Sequence, residues 1–169
     1  MQKVTLRKMT LAEYEAAAKR REPESIRALS KFMPEGQARH RARQGTVQFL
    51  PGGLDTAGHH LVVAENESGE AVRNAWIGPD SRQASGTIDS AWIYDINVFE
   101  PFRRRGYGSA ILAAVEDLVA CGGKTRLALN VVGDDAAAIA LYRRNGYAIS
   151  SMFLDKDVTN QRPPAPPRS

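Results

Sequence analysis

The strongest structural signal in the chain is the segment Tyr94-Asp-Ile-Asn-Val-Phe-Glu-Pro-Phe-Arg103-Arg-Arg-Gly106-Tyr-Gly108-Ser-Ala-Ile-Leu112. It begins as an apolar, β-branched run, passes through a short basic loop, and continues after two glycines as an amphipathic segment that reaches Cys121. This pattern predicts a strand that leads into a helix N-terminus, with three arginines and little side-chain bulk at the junction. Unpaired backbone N–H groups and the positive end of the helix dipole point the same way there, so the sequence predicts an anion site.

The composition is typical of one globular domain. Of the 169 residues, 43% are hydrophobic and 25% are charged. The net charge of +4 favours anionic ligands, but the basic residues are scattered without interleaved aromatic residues, so we expect no nucleic-acid partner. A lone cysteine, Cys121, excludes an intrachain disulfide framework and a multi-cysteine metal site, and we predict no metal. No apolar run approaches the length of a signal-peptide core or a membrane span, so we expect a cytoplasmic protein with no membrane partner.

Hydrophobic periodicity predicts the other elements. A strand opens the chain at residues 4–7, and Thr10 with Glu13 forms a capping-box pattern at the start of a helix. Helical character continues in pieces to about residue 48, with interruptions near Pro23 and Pro34. Further strands are predicted at residues 60–65, 71–77, 87–98, 126–132 and 147–154, and a second late helix at 136–144. The Pro-rich end is predicted to be disordered.

This order of elements, together with Arg103-x-x-Gly106-x-Gly108, resembles the GCN5-related N-acetyltransferase (GNAT) superfamily. The resemblance covers residues 3–156 and is strongest over 91–147, where Leu141-Tyr142-Arg-Arg-Asn-Gly146-Tyr147 also matches. It implies an α+β, GNAT-like fold: a mixed, mostly antiparallel central sheet flanked by helices, with a splay between the fourth and fifth strands. We therefore expect an acetyltransferase domain over residues 1–156 and a disordered tail over 157–169. A dinucleotide-binding fold is disfavoured because Ile111 stands where its third glycine would be.

The glycine loop suits the pyrophosphate of acetyl-CoA, the co-substrate that the resemblance implies. Gly106 and Gly108 allow close backbone approach, and the amides of the loop and first helical turn are available to phosphate oxygens. The arginines add charge-assisted contacts, although a merely solvated loop is the alternative. The predicted contacts are Arg103, Arg104, Arg105, Gly106, Tyr107, Gly108 and Ser109.

The resemblance further implies that the pantetheine arm lies between the splayed strands. The backbone of Ile96, Asn97 and Val98 then faces the thioester, where one N–H polarises the acetyl carbonyl. Asn130, polar in an apolar run, either contacts the pantetheine arm or is a satisfied core amide. Asp135 stands where the family often has an asparagine that contacts the pantetheine region, and helix capping explains Asp135 equally well.

Two side chains are candidates for proton transfer. Tyr142 resembles the family's general acid, which protonates the departing CoA thiolate, and a core aromatic is the alternative. Asp95 is the best candidate for the base that deprotonates the amine, although it could instead pair with an arginine. Strand alternation places Asp95 on the face of Ile93 and Asn97 unless a bulge breaks the parity.

Together these patterns predict an N-acetyltransferase that moves an acetyl group from acetyl-CoA to a primary amine by direct attack. The acceptor, a small-molecule or a peptide amine, stays open, as does a homodimer. The alternatives are a non-catalytic acyl-CoA-binding regulatory module and a nucleic-acid-binding domain. We expect the N-terminal helices to shape the acceptor pocket. The basic segment 39–43 indicates either an acidic substrate at the pocket rim or simply a solvated helix.

Overall fold

The computed structural model describes residues 2–80 and 89–152, together with Leu154, Lys156 and Val158. Its strands are β1 (Thr5–Lys8), β2 (His60–Glu65), β3 (Ala71–Pro79), β4 (Ser90–Val98) and β5 (Arg126–Leu129). Its α-helices are α1 (Leu11–Leu29), α2 (Glu35–Phe49), α3 (Tyr107–Cys121) and α4 (Ala136–Arg144). Short 3₁₀ turns lie at Gly53–Asp55 and Glu100–Phe102.

The five strands form one sheet in the order β1-β2-β3-β4-β5. The first four strands are antiparallel to their neighbours, whereas β5 runs parallel to β4. The β4–β5 pairing covers only Ser90 to Ile93 on β4, opposite Arg126 to Leu129. Residues 94–98 of β4 therefore extend past the end of β5, and the predicted mixed sheet with a splay is confirmed.

Apolar residues cover both faces of the sheet. On one face, α3 buries Ile111, Leu112 and Val115 against strand residues such as Ile77 and Ile93. The opposite face carries a second cluster that joins Ala17 of α1 to the sheet and to the loop after α2, and its buried members are Met9, Ala17, Leu50, Leu61, Val63 and Trp76. The site residues of β3 and β4 thus lie between two helical layers.

The N-terminal cap of α1 is as predicted. The Thr10 hydroxyl accepts a hydrogen bond from the Glu13 amide at 3.3 Å, and the Glu13 carboxylate accepts from the Thr10 amide at 2.8 Å. The predicted break near Pro23 is wrong, because α1 continues through it to Leu29. Ion pairs hold α1 on both turns around the proline, from Arg20 to Asp95 of β4 and from Glu22 to Arg43 of α2. Tertiary contacts thus outweigh the hydrogen bond that a proline removes.

The chain after α4 departs from the predicted strand at 147–154. None of the described residues in that range lies in a strand, and Ile149 and Met152 are 55% and 68% exposed. β5 is also shorter than predicted, ending at Leu129. Apart from Val158, the predicted tail 157–169 lies outside the described residues, as do positions 87 and 88 of the predicted fourth strand. Among the described helices, none combines the length and the apolar character that a membrane crossing requires.

Candidate acyl-CoA and acceptor site

The basic junction between β4 and α3 has the backbone geometry of an anion site. Gly106 is the N-cap of α3 with φ of 85°, and Arg104 adopts φ of 59°, which is unusual for a residue with a side chain. Left-handed residues in such a loop turn successive N–H groups toward one side. The amides of Tyr107, Gly108 and Ser109 are in the first helical turn, where a helix offers no acceptor of its own. The loop therefore presents several backbone donors at the positive end of α3.

Gly108 lies where α3 comes close to α4. A Cβ atom added there would be 3.0 Å and 3.1 Å from the two terminal methyl carbons of Leu141. The same position is 3.4 Å from Nη1 of Arg73 on β3. Glycine thus permits the close approach of three elements directly beneath the anion site.

The three predicted arginines of the loop are exposed. Nε of Arg103 donates a hydrogen bond to the Val98 carbonyl at 3.2 Å, which ties the loop to the last residue of β4. Within the described ranges, none of Arg103, Arg104 and Arg105 forms an ion pair. Their charges are therefore free to attract an anion to the junction.

A bulge in β4 decides the direction of Asp95. Trp76 of β3 is paired with Asp95 and the next residue, Ile77, with Ile93, so Tyr94 is an extra residue on β4. This bulge breaks the simple alternation of side chains along β4. Asp95 shares a face with Asn97 but not with Ile93, and it contacts α1.

The backbone of β4 beyond the bulge offers hydrogen-bonding groups at its outer edge. The Phe99 amide donates to Val72 of β3, so by strand alternation the Asn97 amide is also directed toward β3. The amides of Ile96 and Val98 are then directed away from β3, toward the side where β5 has ended. Of the three predicted backbone contacts, these two lie on the open edge.

Tyr142 lies on α4 and is half-buried against the core that α3 forms with the sheet. Its ring packs edge-on against Tyr147, with 5.7 Å between centroids. Burial raises the pKa of Tyr142 above the ordinary value near 10, and the charge of Arg73 opposes that shift. The phenol is therefore protonated at neutral pH, as a general acid must be.

Arg73 is a site residue that sequence reasoning missed. It is 4% exposed, and within the described part of the chain its Nε and Nη1 atoms have no hydrogen-bond partner. Burial lowers the pKa of Arg73 to about 10, while the nearby Tyr142 and Asp95 oppose this. The available signal was a charged residue inside the mostly apolar strand 71–77, where Asn74 is the other polar residue.

The remaining predicted residues lie around α4. Asn130 is exposed and follows directly after β5, not within it. The Asp135 carboxylate accepts from the Ala138 amide at 2.9 Å, so the capping role left open above is observed. Asn145, which was not predicted, donates to the Ser109 hydroxyl at 3.0 Å and to the Leu141 carbonyl at 2.8 Å. It links the end of α4 to the first turn of α3.

Asp95 lies in a charged cluster with α1. Arg20 donates to its carboxylate, and Nη1 of Arg21 is 3.8 Å from the same oxygen. The ion-pair alternative for Asp95 is therefore present. The cluster leaves the carboxylate on the α1 side of β4, beside Asn97.

Aromatic rings lie on the same face of the sheet as Asp95. Trp76 stacks on Tyr94 with 4.6 Å between centroids, and its indole N–H donates to Nδ1 of His59 at 2.9 Å. Burial, with a smaller contribution from His60, lowers the pKa of His59, which is therefore the neutral acceptor in this bond. A groove of about 740 Å³ runs along α2 and reaches Phe49, whose ring lies 5.2 Å from that of Tyr94. Phe49, at one end of the groove, thus packs on the face of the sheet that carries Trp76 and Asp95.

Comparison with known proteins gives a family match and several similar proteins. The model of the acetyltransferase (GNAT) family matches residues 22–147. The uncharacterized N-acetyltransferase YycN of Bacillus subtilis (strain 168) is 29% identical over 125 residues, which are 74% of this chain and 78% of YycN.

Solved structures agree with the fold. The crystal structure of YycN from Bacillus subtilis superimposes with a TM-score of 0.81 at 25% identity, over 91% of this chain and 98% of YycN. Aminoglycoside N-acetyltransferase AAC(6')-Iy in complex with CoA gives a TM-score of 0.58 at 14% identity, over 93% of this chain and 95% of that protein. The second likeness concerns the fold alone.

Proposed function

The chain belongs to the acetyltransferase (GNAT) family and is an N-acetyltransferase, and from that premise we propose how its residues bind acetyl-CoA and direct the acetyl group to a primary amine. The observation that carries the proposal is the end of β4–β5 pairing at Ile93, which leaves residues 94–98 of β4 as an open edge that leads into the loop before α3. A strand edge with free amides and a phosphate-binding helix start then lie along one continuous path. These two sites suit the two parts of an acyl-CoA that accept hydrogen bonds, namely the pyrophosphate and the thioester carbonyl.

The junction binds the pyrophosphate. The amides of Tyr107, Gly108 and Ser109 donate to phosphate oxygens, and the exposed arginines 103–105 add charge-assisted contacts. The pantetheine arm lies along the open edge of β4, between that strand and α4. Asn130 and Asp135 lie at the outer rim of this path, and we assign them weaker contacts.

Acetyl-CoA supplies the acetyl group as an activated thioester. The outward amides of Ile96 and Val98 are the donors that polarise its carbonyl and stabilise the negative charge that develops on the oxygen during attack. The backbone holds these donors without reorganisation, which is the property that makes such contacts effective. The amine attacks directly, and the chain forms no covalent intermediate.

Tyr142 is the general acid. Its phenol is protonated at neutral pH and gives its proton to the departing CoA thiolate. The positive charge of Arg73 favours the phenolate that this transfer leaves behind, because it opposes the effect of burial on the pKa of Tyr142. Arg73 is in this proposal a positioning residue that acts through Tyr142.

Asp95 receives the ammonium proton, directly or through a water molecule. The bulge at Tyr94 directs its carboxylate toward α1, the side on which Phe49 packs at one end of the α2 groove. Arg20 holds the carboxylate in place through Oδ2, and the proton goes to Oδ1.

Tyr142→Phe tests this proposal, with Tyr147→Phe as the matched control that removes one phenol oxygen from the neighbouring ring. We expect kcat to fall by about 10²- to 10⁴-fold in Tyr142→Phe, measured as release of free CoA thiol across a panel of amines. Thermal stabilisation by acetyl-CoA should persist, at about 2.7 kcal/mol when its concentration is 100 times Kd. Tyr147→Phe should keep turnover.

Two outcomes contradict the proposal. If no acyl-CoA stabilises the protein against thermal unfolding, the proposed acyl-CoA binding site is wrong. Stabilisation without turnover of any amine by the unmodified protein favours a non-catalytic acyl-CoA-binding module instead.

A further inference from the structure

Two adjacent arginines of α1 reach the acceptor side of the sheet. Among the described residues, Arg20 lacks a hydrogen-bond partner only at Nε, whereas Arg21 lacks one at both terminal nitrogens. Arg20 donates to Glu24 at 2.7 Å and to Asp95. Arg21 stays 3.8 Å from the Asp95 carboxylate, beyond hydrogen-bond distance. Its guanidinium carbon instead lies 4.8 Å from the centroid of the Trp76 ring.

The contact with Trp76 does not satisfy the N–H groups of Arg21. A cation over an aromatic ring uses the flat face of the guanidinium, whereas the N–H donors point outward in its plane. Among the described residues, neither Nη1 nor Nη2 of Arg21 has a hydrogen-bond partner, and both atoms are buried. A buried guanidinium with two orphan donors is costly, because its charge and its N–H groups have both left water.

The two arginines of this cluster share its carboxylates unequally. The side chains of Arg20, Arg21 and Asp95 are 25%, 10% and 14% exposed, so two cations share one shielded carboxylate. Glu24 is 53% exposed and therefore screened by water. Arg20 thus hydrogen-bonds to both carboxylates of the cluster, and Arg21 is left without an anionic partner within hydrogen-bond distance.

The neighbouring strand position shows the opposite deficit. Asn74 is paired with Asn97, two positions along from the Trp76–Asp95 pair and on the same face. Asn74 is 6% exposed, and its Oδ1 atom accepts no hydrogen bond from the described residues. Arg21 thus has N–H donors without acceptors, whereas Asn74 has an acceptor without a donor.

We propose that the acceptor is a small primary amine that also carries a carboxylate, with the carboxylate bound by Arg21 and the amine directed toward Asn74 and Asp95. This inference rests on the proposed function and names the substrate class of that site. Nη1 and Nη2 of Arg21 form a fork that matches the two oxygens of a planar carboxylate. The Asn74 oxygen and the Asp95 carboxylate accept from the ammonium that must lose its proton. Asp95, the proposed base, also lies beside the open edge of β4.

Acceptor pairs that differ only in the anionic group test this inference on the full chain. Glycine is compared with glycinamide, β-alanine with β-alaninamide, and O-phosphoethanolamine with ethanolamine, each by CoA thiol release at saturating acetyl-CoA. The amine of a carboxamide is the less basic one, so amine reactivity alone favours the amide. We expect the carboxylate member of at least one pair to have the higher kcat/KM by 10-fold or more.

Arg21→Met assigns that preference to Arg21. We expect it to reduce the preference to less than 3-fold, with the KM for acetyl-CoA unchanged, and Arg21→Lys to retain part of it. Arg27→Met, which removes an exposed positive charge from the same helix, is the control and should keep the preference.

The outcomes separate this inference from the proposed function. Turnover of none of the carboxylate-bearing amines, or a preference for phosphate over carboxylate, overturns the inference. So does an equal loss of both members of a pair in a folded Arg21→Met protein. Turnover restricted to amines without an anionic group overturns the inference too, but it leaves the acetyltransferase proposal standing. Loss of acyl-CoA stabilisation in the unmodified protein counts against the proposed function instead.

Discussion

Gly108→Ala adds one methyl group where α3, α4 and β3 converge. The new carbon would be 3.0 Å and 3.1 Å from the Leu141 methyl carbons, whereas ordinary contact is 3.4–4 Å. Overpacking of this kind costs about 1–3 kcal/mol. Alanine regains about 0.8–1.0 kcal/mol of helix propensity over glycine. The net expectation is a loss of about 1 kcal/mol, or a fall in Tm of about 2–4 °C for a domain of this size.

Gly45→Ala is the matched control, because it makes the same change inside α2 with nothing within 4 Å of the new carbon. Thermal unfolding should therefore show it to be stabilised by about 0.5–1 kcal/mol. The cost of Gly108→Ala should also disappear in a Leu141→Ala background, where the clash is absent. Equal stabilisation by both glycine substitutions, or a cost that persists without the Leu141 methyl groups, would show that the close approach does not constrain α3.

Two further predictions concern charged groups. Glu13 has a pKa of about 2, lowered chiefly by hydrogen bonds from Arg7. Its unfolded value is near 4.5, so its contribution is complete above that pH and is lost as the pH falls toward 2. In urea titrations at several pH values, Glu13→Gln should remove this part of the acid destabilisation. An unchanged dependence of the unfolding free energy on pH would contradict the role given to Glu13. Arg73→Met should leave Tm unchanged or raise it, because the buried Nε and Nη1 atoms have no partner among the described residues. It should lower kcat for CoA thiol release, because the Tyr142 phenolate loses the positive charge that favours it. A large loss of stability would mean that Arg73 is structural.

Local signals in the sequence predicted the elements that local chemistry determines. The ends of α3 and α4 and the cap of α1 follow from residues close in sequence, such as Gly106, Asp135 and Thr10, and they agree with the structure. Pro23 lies inside α1 because contacts with β4 and α2, which are distant in sequence, hold the helix. The strand predicted from residue 147 onward requires a pairing partner, and no periodicity in the sequence can supply one.

The candidate site divides in the same way. The anion loop, Tyr142 and Asp95 were predicted because each belongs to a motif or interrupts an apolar run. Arg73 and Arg21 were not, because their importance comes from burial without hydrogen-bond partners, which only the packed structure reveals. A charged residue in a strand or helix pattern does not by itself show whether its donors reach water.

The extra residue Tyr94 connects the two halves of the site. Without it, alternation would direct Asp95 to the face of Ile93, into the apolar cluster under α3, where an ionised carboxylate is costly. With it, Asp95 meets the arginines of α1, and Ile96 returns to the α3 core. A bulge also increases the local twist of its strand, and the pairing with β5 ends at Ile93, the residue directly before Tyr94. One inserted residue thus accounts both for the acidic group on the acceptor face and for the open edge that receives the thioester in our proposal.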